Sequence, residues 1–329
     1  MKLKVGIIGA GYIGGVHAGI LARDERVQLV TIHDVDRERA EKLARTNDAR
    51  AAESPTEVIE RCDAVYITAP NTQHVALTLA ALDAGKHVFC EKPLAINISD
   101  AESVFAKSNT TKSVVQVGHN RRFAPVYATL KQLLAEKTPH SAHVKMNRGE
   151  LLNPVWTGDP SVTGGFLYET PIHMFDMMRF LFGEVESLHA IGSQHEYGEI
   201  DDFSVLLKFT NGFHATLATA ADASWLFPFE RVEVFCHHAT FVTREMETLV
   251  CSTNLEGHFT EQSMQQLPRD EKWGYVQEDR AFVDAILNDT PPLVTALDGL
   301  MSVELVNAVY ESVRSNATIA VRPVSLMAD

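Results

Sequence analysis

Cysteine is scarce, with four residues (Cys62, Cys90, Cys236 and Cys251) in a chain of 329. None belongs to a CxxC pair, and so few thiols in so long a chain form no disulfide framework. They read as small core residues in a reducing compartment, so a cytoplasmic location is expected. Long apolar runs are also missing. No stretch approaches the roughly 20 residues of a membrane helix. The apolar run after Met1-Lys2-Leu3-Lys4 meets glycine too soon for a secretory signal. Basic residues are in deficit, 29 Lys and Arg against 43 Asp and Glu, for a net charge of −14. Such a chain repels phosphate backbones and anionic lipid, so neither nucleic acid nor a membrane surface is an expected partner. No His/Cys cluster has zinc spacing; His237 and His238 are strand neighbours that point to opposite faces, so no metal site is expected.

What is present is an ordinary globular composition, 45% hydrophobic and 22% charged, long enough for two domains. Residues 1–120 alternate short apolar strands (4–8, 27–33, 64–68, 87–90, 113–117) with helical segments (12–23, 37–45, 55–61, 73–84, 99–107). That rhythm predicts βαβ units and a parallel sheet covered on both faces. After about residue 121 the pattern changes. Helices are expected over 123–136 and 169–182, strands over 143–148, 186–192, 203–209, 213–218, 231–236 and 239–243, and two closing helices over 276–287 and 297–313. Asn211-Gly212 between two of the strands is a hairpin turn. The expected fold class is α/β: an N-terminal Rossmann domain (1–120), then an α+β domain (121–329) with a mainly antiparallel open sheet.

Gly9-Ala10-Gly11-Tyr12-Ile13-Gly14 follows the first strand and opens a helix. In such a loop Gly9 allows the tight turn, Gly11 lets backbone approach a pyrophosphate, and Gly14 lets the helix pack on the sheet, with the helix N-terminus facing the anion. Asp34 ends the second strand, twenty residues after Gly14, where a carboxylate accepts hydrogen bonds from a ribose diol. It also repels the 2′-phosphate of NADP, and Asp36 adds to that, although Arg37 and Arg39 stand close enough to answer a phosphate. NAD is therefore the expected cofactor, ahead of NADP.

At Ala84-Gly85-Lys86-His87-Val88-Phe89-Cys90-Glu91-Lys92-Pro93-Leu94-Ala95 the chain resembles the Gfo/Idh/MocA oxidoreductases, among them glucose–fructose oxidoreductase and inositol dehydrogenase. The resemblance covers nearly the whole chain. It includes His17 three residues beyond the glycine motif, Thr68-Ala69-Pro70-Asn71 with His74, and Val117-Gly118-His119-Asn120-Arg121-Arg122-Phe123. It continues through Gly164-Gly165 and an acid–x–x–x–His–x–x–Asp helix. It implies hydride transfer between a nicotinamide and a secondary alcohol of a sugar or cyclic polyol. Glu91 and Lys92 are then cofactor contacts, as are Asn71 and His74, although the last two could equally cap a helix.

Lys92 stands just past an apolar strand at the carboxyl edge of the sheet, where an ammonium can polarise a substrate oxygen. Glu169, His173 and Asp176 are spaced to share one helix face. His173 is the natural acid or base, with an ordinary pKa near ~6.5. The resemblance assigns it proton exchange with the substrate hydroxyl, and assigns the preceding acid, usually Asp but here Glu169, to substrate binding or proton relay. Lys92, His173 and Glu169 are thus the expected catalytic set, with Arg122, Trp156 and Tyr168 as further substrate contacts. Other readings are a glycosidase that oxidises transiently through NAD, a reductase of a non-sugar diol or ketone, and a non-catalytic NAD-binding regulator. A sheet face without helices predicts a homodimer or homotetramer.

Overall fold

In the computed structural model residues 2–148, 155–221, 223, 230–255 and 257–326 are described, 155 and 156 by backbone alone. They divide into two compact units, residues 1–119 with 275–300, and residues 120–274 with 301–329.

The first unit is a parallel sheet of six strands, β1 (Leu3–Ile8), β2 (Val27–His33), β3 (Arg50–Ala51), β4 (Ala64–Ile67), β5 (His87–Glu91) and β6 (Val115–Gly118), in the order β3-β2-β1-β4-β5-β6. Strands β4 and β6 are buried along their whole length and β1 everywhere but Lys4, as strands covered on both faces are. Between them run α1 (Tyr12–Leu21), α2 (Arg37–Thr46), α3 (Pro55–Arg61), α4 (His74–Asp83) and α5 (Ile98–Asn109). Local chemistry sets three of the helix starts, where the side chains of Asp36, Ser54 and Asn97 accept the N–H groups of Arg39, Glu57 and Asp100. The strand order reverses between β1 and β4, the position at which doubly wound sheets bind ligands beyond their carboxyl ends.

The sequence pattern placed everything after residue 120 in a second domain. The structure instead returns Tyr275–Leu300 to the first unit. Phe282, Val283 and Ala285 of the helix Tyr275–Asn288 join the core of Ile7, Leu21, Tyr66 and Phe89, and the Phe282 ring meets Tyr66 edge-on at 5.5 Å. Burial of Phe282 and Val283, worth about 1.5–3 kcal/mol each, outweighs proximity along the chain.

The second unit is a nine-stranded sheet of β7 (Pro139–Met146), β8 (Val185–Ser193), β9 (Asp202–Phe209), β10 (His214–Ala220), β11 (Glu230–Cys236), β12 (Ala239–Arg244), β13 (Thr248–Ser252), β14 (Thr260–Ser263) and β15 (Ile319–Ala320), ordered β14-β13-β12-β11-β7-β10-β9-β8-β15. Its neighbours pair antiparallel except for β7 with β10. Burial alternates along β9 and β10, so one face is covered and the other exposed. The β9–β10 connection turns at Asn211-Gly212, with Gly212 at φ +85° and Phe209 N–H bonded to Phe213 O at 2.9 Å. Helices α6 (Pro125–Ala135), α7 (Pro160–Thr163), α8 (Phe166–Glu169) and α9 (Ile172–Phe182) belong to this unit, and nearly every residue of α9 is buried.

The helix expected over 169–182 is broken. Glu169 closes α8 and His173 lies in the first turn of α9, with Thr170-Pro171 between them. Pro171 has no N–H to continue the first helix and disfavours helical backbone at Thr170. His173 and Asp176 stand three residues apart on α9, and Glu169 stands on the preceding helix.

Candidate active site

The dinucleotide loop is built by steric exclusion and by one carboxylate. Gly9 has φ +108°, and a Cβ there would lie 2.5 Å from the Thr68 carbonyl. A Cβ on Gly14 would lie 2.0 Å from Gly9 O, so α1 touches the loop at that point. Gly11 differs: no protein atom lies within 4 Å of its would-be Cβ. The first two glycines are required by the fold, whereas the third leaves open space at the N-terminus of α1, as a pyrophosphate would need. The residues present therefore fit an NAD cradle. Tyr12, at the first turn of α1, is 68% exposed, and Ile13 is half-buried beside it.

Asp34 Oδ2 accepts the Ala10 N–H at 2.7 Å and Oδ1 accepts the Asp36 N–H at 2.8 Å. A carboxylate has about four acceptor sites, so two remain for a ribose diol. The two arginines that could have answered a phosphate are engaged with acids. Arg37 bonds Glu41 and Glu53, and Arg39 lies 3.9 Å from Asp34 and 3.5 Å from Asp36.

Lys92 follows β5 in a turn held from both sides. Its own N–H donates to Glu91 Oε2 at 3.1 Å, and the Pro93 carbonyl accepts from His74 Nδ1 at 2.7 Å. The other nitrogen of His74 faces Ala69 O at 2.8 Å, and the residue is buried. Both ring nitrogens of His74, expected at the cofactor, thus face backbone carbonyls of the two turns. Burial lowers the His74 pKa, against the pull of the two carbonyls. Glu91, also expected at the cofactor, turns its carboxylate inward to His17 Nε2 at 3.2 Å. Asn71 is buried in the short turn of 3₁₀ helix after β4.

In the second unit His173 is 8% exposed and Glu169 half-buried. The break between them is met by an arginine that the sequence did not single out, Arg148, whose Nη1 donates to Thr170 Oγ1 at 2.8 Å. Arg122, expected to contact substrate, is forked onto Asp176 with Nε–Oδ2 2.8 Å and Nη2–Oδ1 2.6 Å, both residues buried. A guanidinium so desolvated serves the helix that carries His173. Tyr168, expected as a stacking platform, is buried with its hydroxyl bonded to Asn307, and burial raises its pKa to about 12. The side chain of Trp156 lies outside the described residues. Among the described residues no group of His, Cys, Asp and Glu could hold a metal ion, and no helix is long and apolar enough to cross a membrane.

A six-stranded parallel sheet with a glycine cradle at its switch point defines a dinucleotide-binding protein. Residues 3–119 match the oxidoreductase family's NAD-binding Rossmann fold and residues 131–321 its C-terminal alpha/beta domain. The chain belongs to the Gfo/Idh/MocA oxidoreductase family. It is 28% identical over 333 residues to myo-inositol 2-dehydrogenase of Thermotoga maritima, spanning 98% of this chain and 99% of that protein. Its fold matches that of levoglucosan dehydrogenase in complex with NADH and levoglucosan, with a TM-score of 0.89 at 21% identity over 98% and 100% of the two chains. It also matches GenD2 from gentamicin A biosynthesis in complex with NAD, with a TM-score of 0.86 at 24% identity over 98% and 97%.

Proposed function

We propose that this protein is an NAD-dependent dehydrogenase acting on a secondary alcohol of a sugar or cyclic polyol. The observation that carries the reading is the turn after β5, where backbone bonds on both sides of Lys92 hold an ammonium-bearing residue at the carboxyl edge of the sheet. Full-length likeness to an inositol 2-dehydrogenase supports the substrate class. Gly9, Gly11, Tyr12, Ile13, Gly14, Asp34 and Asn71 hold the cofactor. Bound NAD supplies the two-electron acceptor. Lys92 stabilises negative charge developing on the substrate oxygen, His173 takes the hydroxyl proton, and Glu169 orients the substrate or relays that proton. Four free thiols fit a reducing cytoplasm. Leu206 and Ile191 are exposed on the bare sheet face, which suits a homodimer or homotetramer.

The test is a panel of polyols and sugars, myo-inositol first, with NAD and NADP, read at the nicotinamide absorbance. Wild type should reduce NAD with at least one member. Lys92→Ala should lower kcat by about 10²–10³ and His173→Ala by about 10²–10⁴, with the acidic limb of the pH–rate profile altered in the latter. Both should still bind NAD. Near wild-type rates in both variants would remove the assigned roles, and NAD binding without turnover of any alcohol would favour the regulator.

A further inference from the structure

The helix Tyr275–Asn288 brings one carboxylate into the interior of the first unit. Asp279 Oδ1 lies 2.8 Å from His17 Nδ1, and His17 Nε2 lies 3.2 Å from Glu91 Oε1. The second oxygen of Glu91 accepts the Lys92 N–H at 3.1 Å. Asp279, His17 and Glu91 are all buried. Room for the Glu91 carboxylate is made by Gly118, where a Cβ would lie 2.9 Å from Glu91 Cδ. A line of hydrogen bonds thus runs from Asp279, 262 residues from His17 in sequence, to the peptide N–H of Lys92.

A neutral imidazole has one N–H and can donate to only one carboxylate. Here both ring nitrogens face carboxylate oxygens, so the arrangement is satisfied by an imidazolium. We propose that Asp279, His17 and Glu91 are positioning residues for Lys92: charged His17 locks the Glu91 carboxylate in the orientation that fixes the Lys92 backbone. The proposal rests on the catalytic role given to Lys92 above. Burial alone would depress the His17 pKa, but Asp279 and Glu91 outweigh it and hold the pKa up at about 10. Other titratable groups meet this line from each packed element. The rings of Tyr66 on β4 and Tyr275 lie 5.3 and 5.9 Å from His17. Asp279 and Glu278 act on Tyr66, and Lys92 and His74 act on Glu91.

Asp279→Asn separates positioning from folding. The amide oxygen still accepts from His17 Nδ1, but the charge that retains the second proton is gone. His17 then deprotonates within the working pH range, and its single remaining N–H is shared between the two ring nitrogens, so the Nε2–H bond to Glu91 weakens. The measurements are NAD affinity by fluorescence, His17 protonation by ¹⁵N NMR, and kcat against pH with the alcohol that wild type oxidises. In Asp279→Asn, NAD affinity should stay within about twofold, while kcat falls about tenfold as pH rises, the scale of one charge-assisted hydrogen bond. The inflection should coincide with His17 deprotonation and be absent from wild type. His17→Gln, which offers Glu91 a donor that does not titrate, should keep kcat near wild type and show no inflection. A kcat ratio that is flat across pH, or a loss of NAD affinity that parallels the loss of kcat, makes the network a strut of the fold and overturns the proposal. Lys92→Ala distinguishes the failures: full activity there removes the catalytic reading and the proposal together, whereas loss there with a flat Asp279→Asn profile removes the proposal alone.

Discussion

The carboxylate of Asp34 accepts the backbone N–H of Ala10 at 2.7 Å, which ties the end of β2 to the glycine loop that follows β1. Asp34 is therefore a strut of the cradle as well as a candidate ribose contact.

A consequence concerns cofactor choice. Wild type should bind NAD well ahead of NADP, because a 2′-phosphate would face Asp34 and Asp36 while Arg37 is already paired. Asp34→Ala should narrow that gap mainly by weakening NAD, by about tenfold or more, since a charge-assisted bond to the loop is lost. Fluorescence titration with both cofactors checks this. Unchanged NAD affinity together with a gain for NADP would show that Asp34 acts only by repelling the 2′-phosphate.

Gly11 and Gly14 should separate binding from stability. Gly11→Ala meets no protein atom within 4 Å and its backbone, at φ −71°, suits alanine. Its melting temperature should match wild type while NAD affinity collapses. Gly14→Ala places a methyl 2.0 Å from Gly9 O, so it should unfold several degrees earlier even without cofactor. Equal melting temperatures for the two variants would contradict the packing described for α1.

The Arg122–Asp176 pair predicts a large asymmetry. Asp176→Ala leaves a guanidinium buried without its forked partner and should cost about 3–5 kcal/mol, read by urea unfolding. The double variant Arg122→Met, Asp176→Leu should recover most of that. If the single variant costs less than about 1 kcal/mol, the pair is solvated in solution.

The buried His17 sets a pH dependence of stability. Its folded pKa, about 10, lies above the ordinary value of 6.5. The folded state thus holds a proton that the unfolded chain releases, and the stability that His17 contributes is full below about 6.5 and lost as pH rises toward 10. Melting temperature should fall across that window, and the slope should be shallower in Asp279→Asn. A melting temperature that is flat over the window would mean that His17 is neutral.

Much of the first unit was legible in local patterns. The strand–helix rhythm gave the elements of a Rossmann sheet, and helix 55–61 was placed at its observed bounds. The glycine motif fell where the strand order reverses. Elsewhere periodicity misled. It saw one helix over 169–182 because the apolar spacing runs through Thr170-Pro171, and it missed the short edge strands β3, β14 and β15, whose few residues carry no alternation. Sequence shows the polar groups of Arg122 and Tyr168 but not their protein partners, Asp176 and Asn307.

By itself the sequence determined what is encoded within a few residues of itself: a cradle that needs three glycines, an acid at the end of β2, a lysine in a proline-held turn, and alternation that marks a sheet with one bare face. The tertiary structure alone decided which charges are spent on one another. Asp279 reaches His17, Arg122 takes Asp176, and Phe282 returns its helix to the first core across contacts far apart along the chain. Such pairings follow from the burial of whole faces, and a buried charge must find its partner wherever packing puts one, so no local pattern announces them.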